Sequence, residues 1–563
     1  MRRGCLWLVW AVLVGSVQPV VGVADEVEGP PAGSRRWAPP GPGFVGCRDA
    51  ERRSASALQA AARIDELIAA RWKQENVQPA PLADDAEFVR RVYLDLAGRI
   101  PYVAEVRTFL ADPSPTKRRD LINTLLDSPG YLNHFSSVWR AWWLPDNNNQ
   151  FGNLGLRPGF EAWVRLRLME NAGYDAMVRE LLTVGTAGAP STRPIMVLPG
   201  GAAGVPPNPQ AFLLANENRP ENLAASMTRL FLGIRLECAQ CHNHFFADWS
   251  REQFWEQAAF FATPATVRPA PGQTEPSLGP RRIKIPGTDT VVSARFLDGQ
   301  EPKWQDGVNP RVVLAEWVTA KDNPWFAKAA VNRLWYYFFG IGLVDPVDDL
   351  IPQNPPSHPE LLEFLAREFA AHDFDLKFLI RAITNSRTYQ LTSAQTHESQ
   401  ADPRLFARMG VKGMSPEQFF DSLALAVGYV DPMPATQRQF AGFGVNTPRA
   451  RFLAEFKNDS DKRNEVQTSI LQALALMNGQ FVHDATSVEN SELLTAVAQA
   501  PFMTTARKIE TLYLATLSRP PTPKELARLV KYVESGGPTG DPHKALGDVL
   551  WALLNSAEFI LNH

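Results

Sequence analysis

Cys238-Ala-Gln-Cys241-His242-Asn-His244 places two thiols and two imidazoles within seven residues. Its first five positions have the CxxCH spacing of c-type haem attachment. Two thiols three positions apart can form thioethers to one porphyrin, and the histidine directly after them can ligate its iron. The chain has four cysteines in 563 residues. A chance pentad of this kind is expected on the order of once in two thousand chains of such composition, so the cluster asks for a chemical explanation.

Three chemistries compete. The first is covalent haem c on Cys238 and Cys241, with His242 as the proximal ligand. The second is a non-haem site for zinc or iron, with His242 and His244 joining the two thiolates. The third is a CxxC dithiol or disulfide. Ligand arithmetic constrains the first two. No methionine lies between His242 and Met409, and His244 is too close in sequence to His242 to reach the far face of the same haem. A six-coordinate iron would have to draw on Met227, His134 or a residue of the second half. Otherwise it is five-coordinate or water-bound, which favours small-molecule chemistry over simple electron transfer. For zinc, four ligands packed this closely can rarely all reach one tetrahedral centre.

The elements that must position the cluster are helical. Phe88, Val89, Val92, Tyr93 and Leu96 recur at helical spacing before Gly98 stops the helix, and Pro101 opens a new segment with Val103, Val106, Phe109 and Leu110. Arg118–Leu126 and Tyr131–Trp143 follow. Asn147-Asn148-Asn149 and the Gly/Pro/Ala-dense 185–209 are loops. Pro220-Glu221-Asn222 opens a helix running towards Leu236, which sets the CxxCH at or just after a helix end. Phe254–Phe261 resumes a helix. Between 264 and 305 prolines break helices, and Ile283-Lys284-Ile285 and Val291–Phe296 predict a small β-hairpin or meander. In the second half Ser357–Glu360, Ser415–Gln418 and Thr522–Glu525 read as capping boxes. The expected fold is mainly α, with two helical domains separated by that β insert. The expected boundaries are a leader at 1–24, a Pro/Gly-rich disordered tether at 25–54, a helical domain with the CxxCH at 55–263, a β-rich linker at 264–305 and a helical C-terminal domain at 306–563.

The N-terminus reads as a secretory leader. Arg2 and Arg3 precede the apolar run Leu6–Val17, and Gly22-Val23-Ala24 offers a cleavage site after Ala24. The run is too short to favour a membrane span, and no second apolar stretch of spanning length follows. The expected location is periplasmic or secreted, the side on which haem is attached covalently. Loss of Arg2 and Arg3 takes the formal charge from −3 to about −5, a weak imbalance. With no long basic run, nucleic acid is not an expected partner. The mature chain would keep Cys47, Cys238 and Cys241, too few for a disulfide framework. Cys47, in the tether, reads first as an exposed bystander and second as an intermolecular or redox thiol.

Other residues carry weaker signals. Asp95 has Arg91 and Arg99 at four-residue spacing, an ion-pair pattern. Trp249, Phe254 and Trp255 are core residues first and porphyrin neighbours second. Asn332-Arg333 with Trp335-Tyr336-Tyr337-Phe338-Phe339 is either a buried anchor or a carbohydrate-stacking surface. His358 belongs to a helix cap. No GxSxG elbow, P-loop or HExxH occurs.

Several ordered motifs carry a family likeness. They are Phe88–Pro101, Phe231–His244 with Trp249, Asn323–Phe326, Asn332–Trp335, Ser386–Gln390, Gln472–Gly479 and Trp551–Phe559. The chain resembles exported planctomycete proteins that join a cytochrome-like domain of unknown function to a second, C-terminal domain of unknown function. It departs from them at Phe245, where proline is usual, and at Tyr102-Val103, where Thr-Pro is usual. The resemblance implies a fold, an export route and an association with polysaccharide-degradation components, and the haem reading of the cluster adds a redox partner. The expected function is an exported haem- or metal-binding protein with a redox role centred on the cluster. The alternative is a non-catalytic exported scaffold or glycan-binding protein whose CxxCH is a structural metal or thiol site.

Overall fold

The structure is a computed structural model. It describes residues 45–144, 156–186, 206–262, 281–429, 448–455, 482–483, 486–488 and 490–563. The leader, most of the tether, the Asn147-Asn148-Asn149 loop, the middle of the 185–209 loop and Gln472–Gly479 lie outside these residues, as does the side chain of Cys47. Ala50–His563 form one compact unit; of the other, Met1–Asp49, only the start of a helix is described.

Apolar spacing, caps and glycine stops set the helices of the first half. Helix α1 (Val45–Gln74) begins inside the stretch read as tether and turns Ala57, Ile64, Ile68 and Trp72 into the core. Helix α2 (Asp85–Ala97) starts on Asp84, whose carboxylate accepts from the Glu87 amide at 2.8 Å. It buries Phe88, Val89, Val92, Tyr93 and Leu96, as their spacing predicts. It ends at Gly98 in the left-handed region, φ 68°. A Cβ there would stand 2.4 Å from His134 Nδ1, so glycine is needed for space as well as conformation. Then come α3 (Val103–Ala111), α4 (Lys117–Leu126), α5 (Pro129–Trp143), α6 (Leu156–Met169) and α7 (Tyr174–Thr183). Tyr102 precedes α3, and the Glu105 carboxylate accepts its backbone N–H at 2.7 Å. The short α8 (Ala211–Ala215), α9 (Pro220–Leu232) and α10 (Arg251–Ala258) complete this half.

The insert is an antiparallel hairpin of β1 (Arg282–Lys284) and β2 (Val291–Ser293), with Ile283 opposite Val292. Helices α11 (Pro310–Val318), α12 (Phe326–Phe339), α13 (Pro359–Ala371) and α14 (Leu376–Asn385) follow. Strand β3 (Lys412–Gly413) precedes α15 (Pro416–Val427) and α16 (Pro448–Glu455). The chain closes with α17 (Glu492–Ala498), α18 (Thr505–Thr516), α19 (Pro523–Glu534), α20 (Pro542–Leu554) and α21 (Ala557–Ile560). Strand β4 (Leu561–Asn562) then pairs antiparallel with β3. The fold is mainly α, with two small two-stranded sheets among the described residues. No described helix is long and apolar enough to cross a membrane.

The Ser415/Gln418 and Thr522/Glu525 capping boxes form in full. The box expected at Ser357–Glu360 does not. His358 is the N-cap without a side-chain cap bond, and Pro359 at the first helical position starts α13.

Packing does not divide at the hairpin. One core runs from Ala57 to Met409 across both helical stretches. Within it Trp139, Trp143 and Tyr174 meet with ring centroids 4.8–5.9 Å apart, each pair adding about 0.5–1.5 kcal/mol beyond burial. The second core runs from Phe419 to Phe559 and takes in Leu94 and Ile100 from the first half.

The two cores join at α2. Asp95 does not pair with Arg91 or Arg99. Its carboxylate accepts from Lys412 Nζ at 2.8 and 3.1 Å, Tyr389 Oη at 2.8 Å and Asn562 Nδ2 at 2.8 Å, all buried. Arg91 instead donates to the carbonyls of Tyr389, Leu391 and His563 and pairs with Glu87. Arg99 pairs with Glu105 at 2.9 Å. Arg90 donates to the carbonyls of Thr516 and Phe559, each at 2.8 Å. The helix thus buries three charges to hold the C-terminal segment.

His358 gives the fold an acid limit. It is 5% exposed, its ring lies against Phe406, and its Nε2 is buried without a hydrogen-bond partner. Burial, then the charges of Arg71 and Arg404, push its imidazole from 6.5 down to about 4. The unfolded chain therefore binds a proton between pH 6.5 and 4 that the folded chain refuses. Stability present above pH 6.5 is lost as pH falls to 4 and is flat below, by about 3 kcal/mol from this group. In urea titrations across that range, His358→Gln should flatten the slope. An unchanged slope would rule out this origin.

Candidate functional site

The CxxCH lies on a loop between α9 and α10, as its sequence position predicts. Pro220 starts α9, which buries Leu223, Met227, Leu230 and Phe231 and ends at Gly233, φ 67°. A Cβ on Gly233 would meet Leu350 Cδ1 at 2.6 Å, so only glycine lets the chain turn here. The Gly233 carbonyl accepts from the Leu350 amide at 2.9 Å, and Ile234 bridges to Asp349. A 3-10 turn, Leu236–Ala239, follows. It buries Leu236 and Ala239 and leaves Cys238 exposed. The Gln240 carbonyl accepts from Trp255 Nε1 at 3.0 Å and Arg251 Nε at 3.3 Å, which fixes the turn to α10.

Cys241, His242 and Asn243 are exposed beyond this anchor, and both thiols are free. Asn243 Oδ1 accepts from the Arg251 amide at 2.9 Å at the start of α10. Ser250 and Gln253 form a capping box there. The two histidines are held in opposite ways. His242 Nδ1 lies 2.7 Å from the Asn243 carbonyl. A carbonyl only accepts, so Nδ1 carries the proton and Nε2 presents a lone pair. His244 Nδ1 accepts from the Phe246 and Ala247 amides at 3.1 and 3.0 Å. Its proton is therefore on Nε2, and the ring braces the loop.

Two residues give the site its apolar character. Phe245 and Phe246 are 75% and 78% exposed, and the Phe245 ring lies 4.2 Å from that of His242. Sequence reasoning noted Phe245 only as a departure from proline. Their adjacency, outside any helical period, was the available signal. Burial raises the Glu237 carboxyl above the usual carboxylate range. Burial, then the Glu237 charge, raises the Cys238 thiol.

The expected distant ligands are committed elsewhere. Met227 is fully buried. The Tyr337 hydroxyl donates to the Asp95 carbonyl at 2.7 Å, so His134 Nε2, which meets the same oxygen, is its donor. Phe254 and Trp255 are core residues, and Trp249 is half-buried against Trp325. Among the described residues, no three His, Cys, Asp or Glu side chains gather as metal ligands. The aromatic run of α12 is buried, so it offers no stacking surface to a carbohydrate. Arg333 there pairs with Asp348, and Asn332 bonds the backbone of Val344 and Val347.

Residues 63–265 match the PSCyt2 family model, described as a protein of unknown function (DUF1549). Residues 310–533 match PSD1, likewise a protein of unknown function (DUF1553). The chain carries a DUF1549 domain followed by a DUF1553 domain. No curated protein and no solved structure matches it. The DUF1549 domain holds the whole CxxCH loop. The loop's anchor at Asp349-Leu350 and the partners Tyr389 and Lys412 of Asp95 belong to the DUF1553 domain. Asn562, the remaining partner, lies beyond the matched stretch.

Proposed function

We propose that the protein is an exported c-type haem protein with a redox role. The haem is held by thioethers to Cys238 and Cys241, with His242 Nε2 as the iron ligand. One observation carries this reading. His242 is held by its Nδ1 proton in the tautomer that a metal ligand needs, directly beside two exposed, free thiols. The donor set therefore fits the group. When bound, haem supplies one-electron chemistry and a site for small ligands.

This chain's own residues prepare that attachment. The Asn243 carbonyl keeps a proton on His242 Nδ1 and fixes the ring. Trp255 and Arg251 hold the turn that carries the thiols. Phe245 and Phe246 supply apolar surface beside it. The leader pattern at residues 1–24 supports placement outside the cytoplasm, where thioethers to haem are made.

The zinc or non-haem iron reading has less support. His244 would have to ligate through Nε2 while Nδ1 accepts two amide protons, which leaves no nitrogen for the ring's own proton. The glycan-binding reading lost its main surface with the burial of α12.

The test is expression of the full chain with its leader in a host competent for cytochrome c maturation. A pyridine haemochrome spectrum of the c type, at one haem per chain, is expected. A spectrum without haem bands would sink the proposal.

A further inference from the structure

The joint between the two cores brings together the three groups of an amide-forming reaction: an amine, a carboxamide and a carboxylate between them. Lys412 on β3 and Asn562 on β4 stand directly opposite each other in the antiparallel pair, which sets their Cβ atoms about 5 Å apart. Lys412 Nζ and Asn562 Nδ2 each donate to one oxygen, Asp95 Oδ1, at 2.8 Å. The Tyr389 hydroxyl fixes Asp95 Oδ2 at 2.8 Å, and the Phe338 carbonyl fixes Nζ at 2.6 Å. Asp95, Lys412 and Asn562 are all buried, as are Tyr337, Phe338 and Tyr389 around them. Held positions without bulk water are what a slow bimolecular step gains most from.

One atom of the cluster is unsatisfied. Asn562 Oδ1 is buried and has no hydrogen-bond partner, which a purely structural network avoids. Asp95 can supply the missing donor. A lysine attacks only as the neutral amine, and Asp95 is placed to take its proton. The neutral Asp95 carboxyl then carries an O–H, and a half-turn of the Asn562 amide brings Oδ1 to it.

We propose that Lys412 and Asn562 become joined by an isopeptide bond, with Asp95 as the acid and base. Lys412 Nζ forms a bond to Asn562 Cγ, and the bond from Cγ to Nδ2 breaks. Asp95 passes protons from Nζ to Nδ2. Ammonia leaves, and Asp95 ends as a neutral carboxyl beside the new amide. The ion pair is the starting state, and the product replaces two buried charges with neutral groups. The bond ties β4, beyond the DUF1553 match, covalently to β3 within it. It uses no residue of the CxxCH loop, so it stands apart from the haem reading.

The test is tryptic peptide mapping of the full-length protein, denatured after prolonged incubation in the folded state. A product joining Met409–Arg438 to Ala545–His563, uncut after Lys412 and lighter than their sum by one ammonia, is expected to accumulate. Only separate peptides, cut after Lys412, would overturn the proposal. So would a product joining Lys412 to Val92–Arg99 with loss of water, which would make Asp95 the acyl partner. Asp95→Asn strands the ammonium and threatens the fold, so the control is Asn562→Ala, which keeps the Asp95–Lys412 pair. It should give only the separate peptides, and a joined product there would also contradict the assignment.

Discussion

Lys412→Met is expected to lower folding stability by roughly 3–5 kcal/mol. The substitution removes the cation that neutralises Asp95 and keeps most of the side-chain volume. Asp95 and Lys412 are both buried, with the ammonium 2.8 Å from one carboxylate oxygen and 3.1 Å from the other. The Tyr389 hydroxyl and the Asn562 amide complete the carboxylate's partners, and Lys412 also donates to the Phe338 carbonyl at 2.6 Å. Without the lysine the carboxylate stays buried with two neutral donors and no counter-charge. Asp95→Asn should cost a similar amount by stranding the ammonium. The double variant should cost less than the two singles summed, because no unpaired charge remains. Urea midpoints of the four proteins measure this. Single variants within about 1 kcal/mol of the parent, the range of exposed pairs, would mean that the pair is solvated.

The consequence is wider than local stability. Asp95 and its neighbours Arg90 and Arg91 tie helix α2 to the segment around Tyr389, to strand β3 and to the last residues of the chain. Weakening this joint should loosen the second core from the first, so the urea transition of Lys412→Met should broaden as well as shift.

The second large effect concerns the cluster. Cys238→Ser/Cys241→Ser is expected to abolish covalently held haem completely, because a serine hydroxyl forms no thioether. The fold should be untouched, since both side chains are exposed and free and the turn is held by Leu236, Ala239 and the Gln240 carbonyl. Each single variant should keep one attachment point. A double variant that still retains haem after denaturation would place the attachment elsewhere.

Much of the fold was legible because its signals are local. Apolar spacing located α2 and its buried face, Gly98 stopped it, and the Ser415 and Thr522 boxes marked real helix starts. The hairpin appeared where prolines and alternation placed it. What local rules missed is long-range. The spacing of Arg91 and Arg99 around Asp95 suggested i,i+4 pairs, yet buried carbonyls and Glu105 were better partners for those guanidiniums. The two-residue strands β3 and β4 are too short to leave a period. At Ser357 the cap pattern was present, but the backbone made His358 the N-cap.

The place of the candidate loop in the fold was legible in the same measure. Spacing located the CxxCH at a helix end and named its residues. It made His242 the haem ligand and gave His244 a place only in the non-haem alternative, but it could not assign the proton on either ring, because ring nitrogens are distinguished only by what faces them. The Asn243 carbonyl and the two loop amides make that distinction.

The most direct test of the central claim is an intact mass under denaturing conditions. The sample is the full chain, matured through its leader in a host that assembles c-type cytochromes. The predicted result is a polypeptide heavier by one haem, with the added mass absent from Cys238→Ser/Cys241→Ser. A parent protein at the bare polypeptide mass, with both cysteines still open to alkylation, would contradict it.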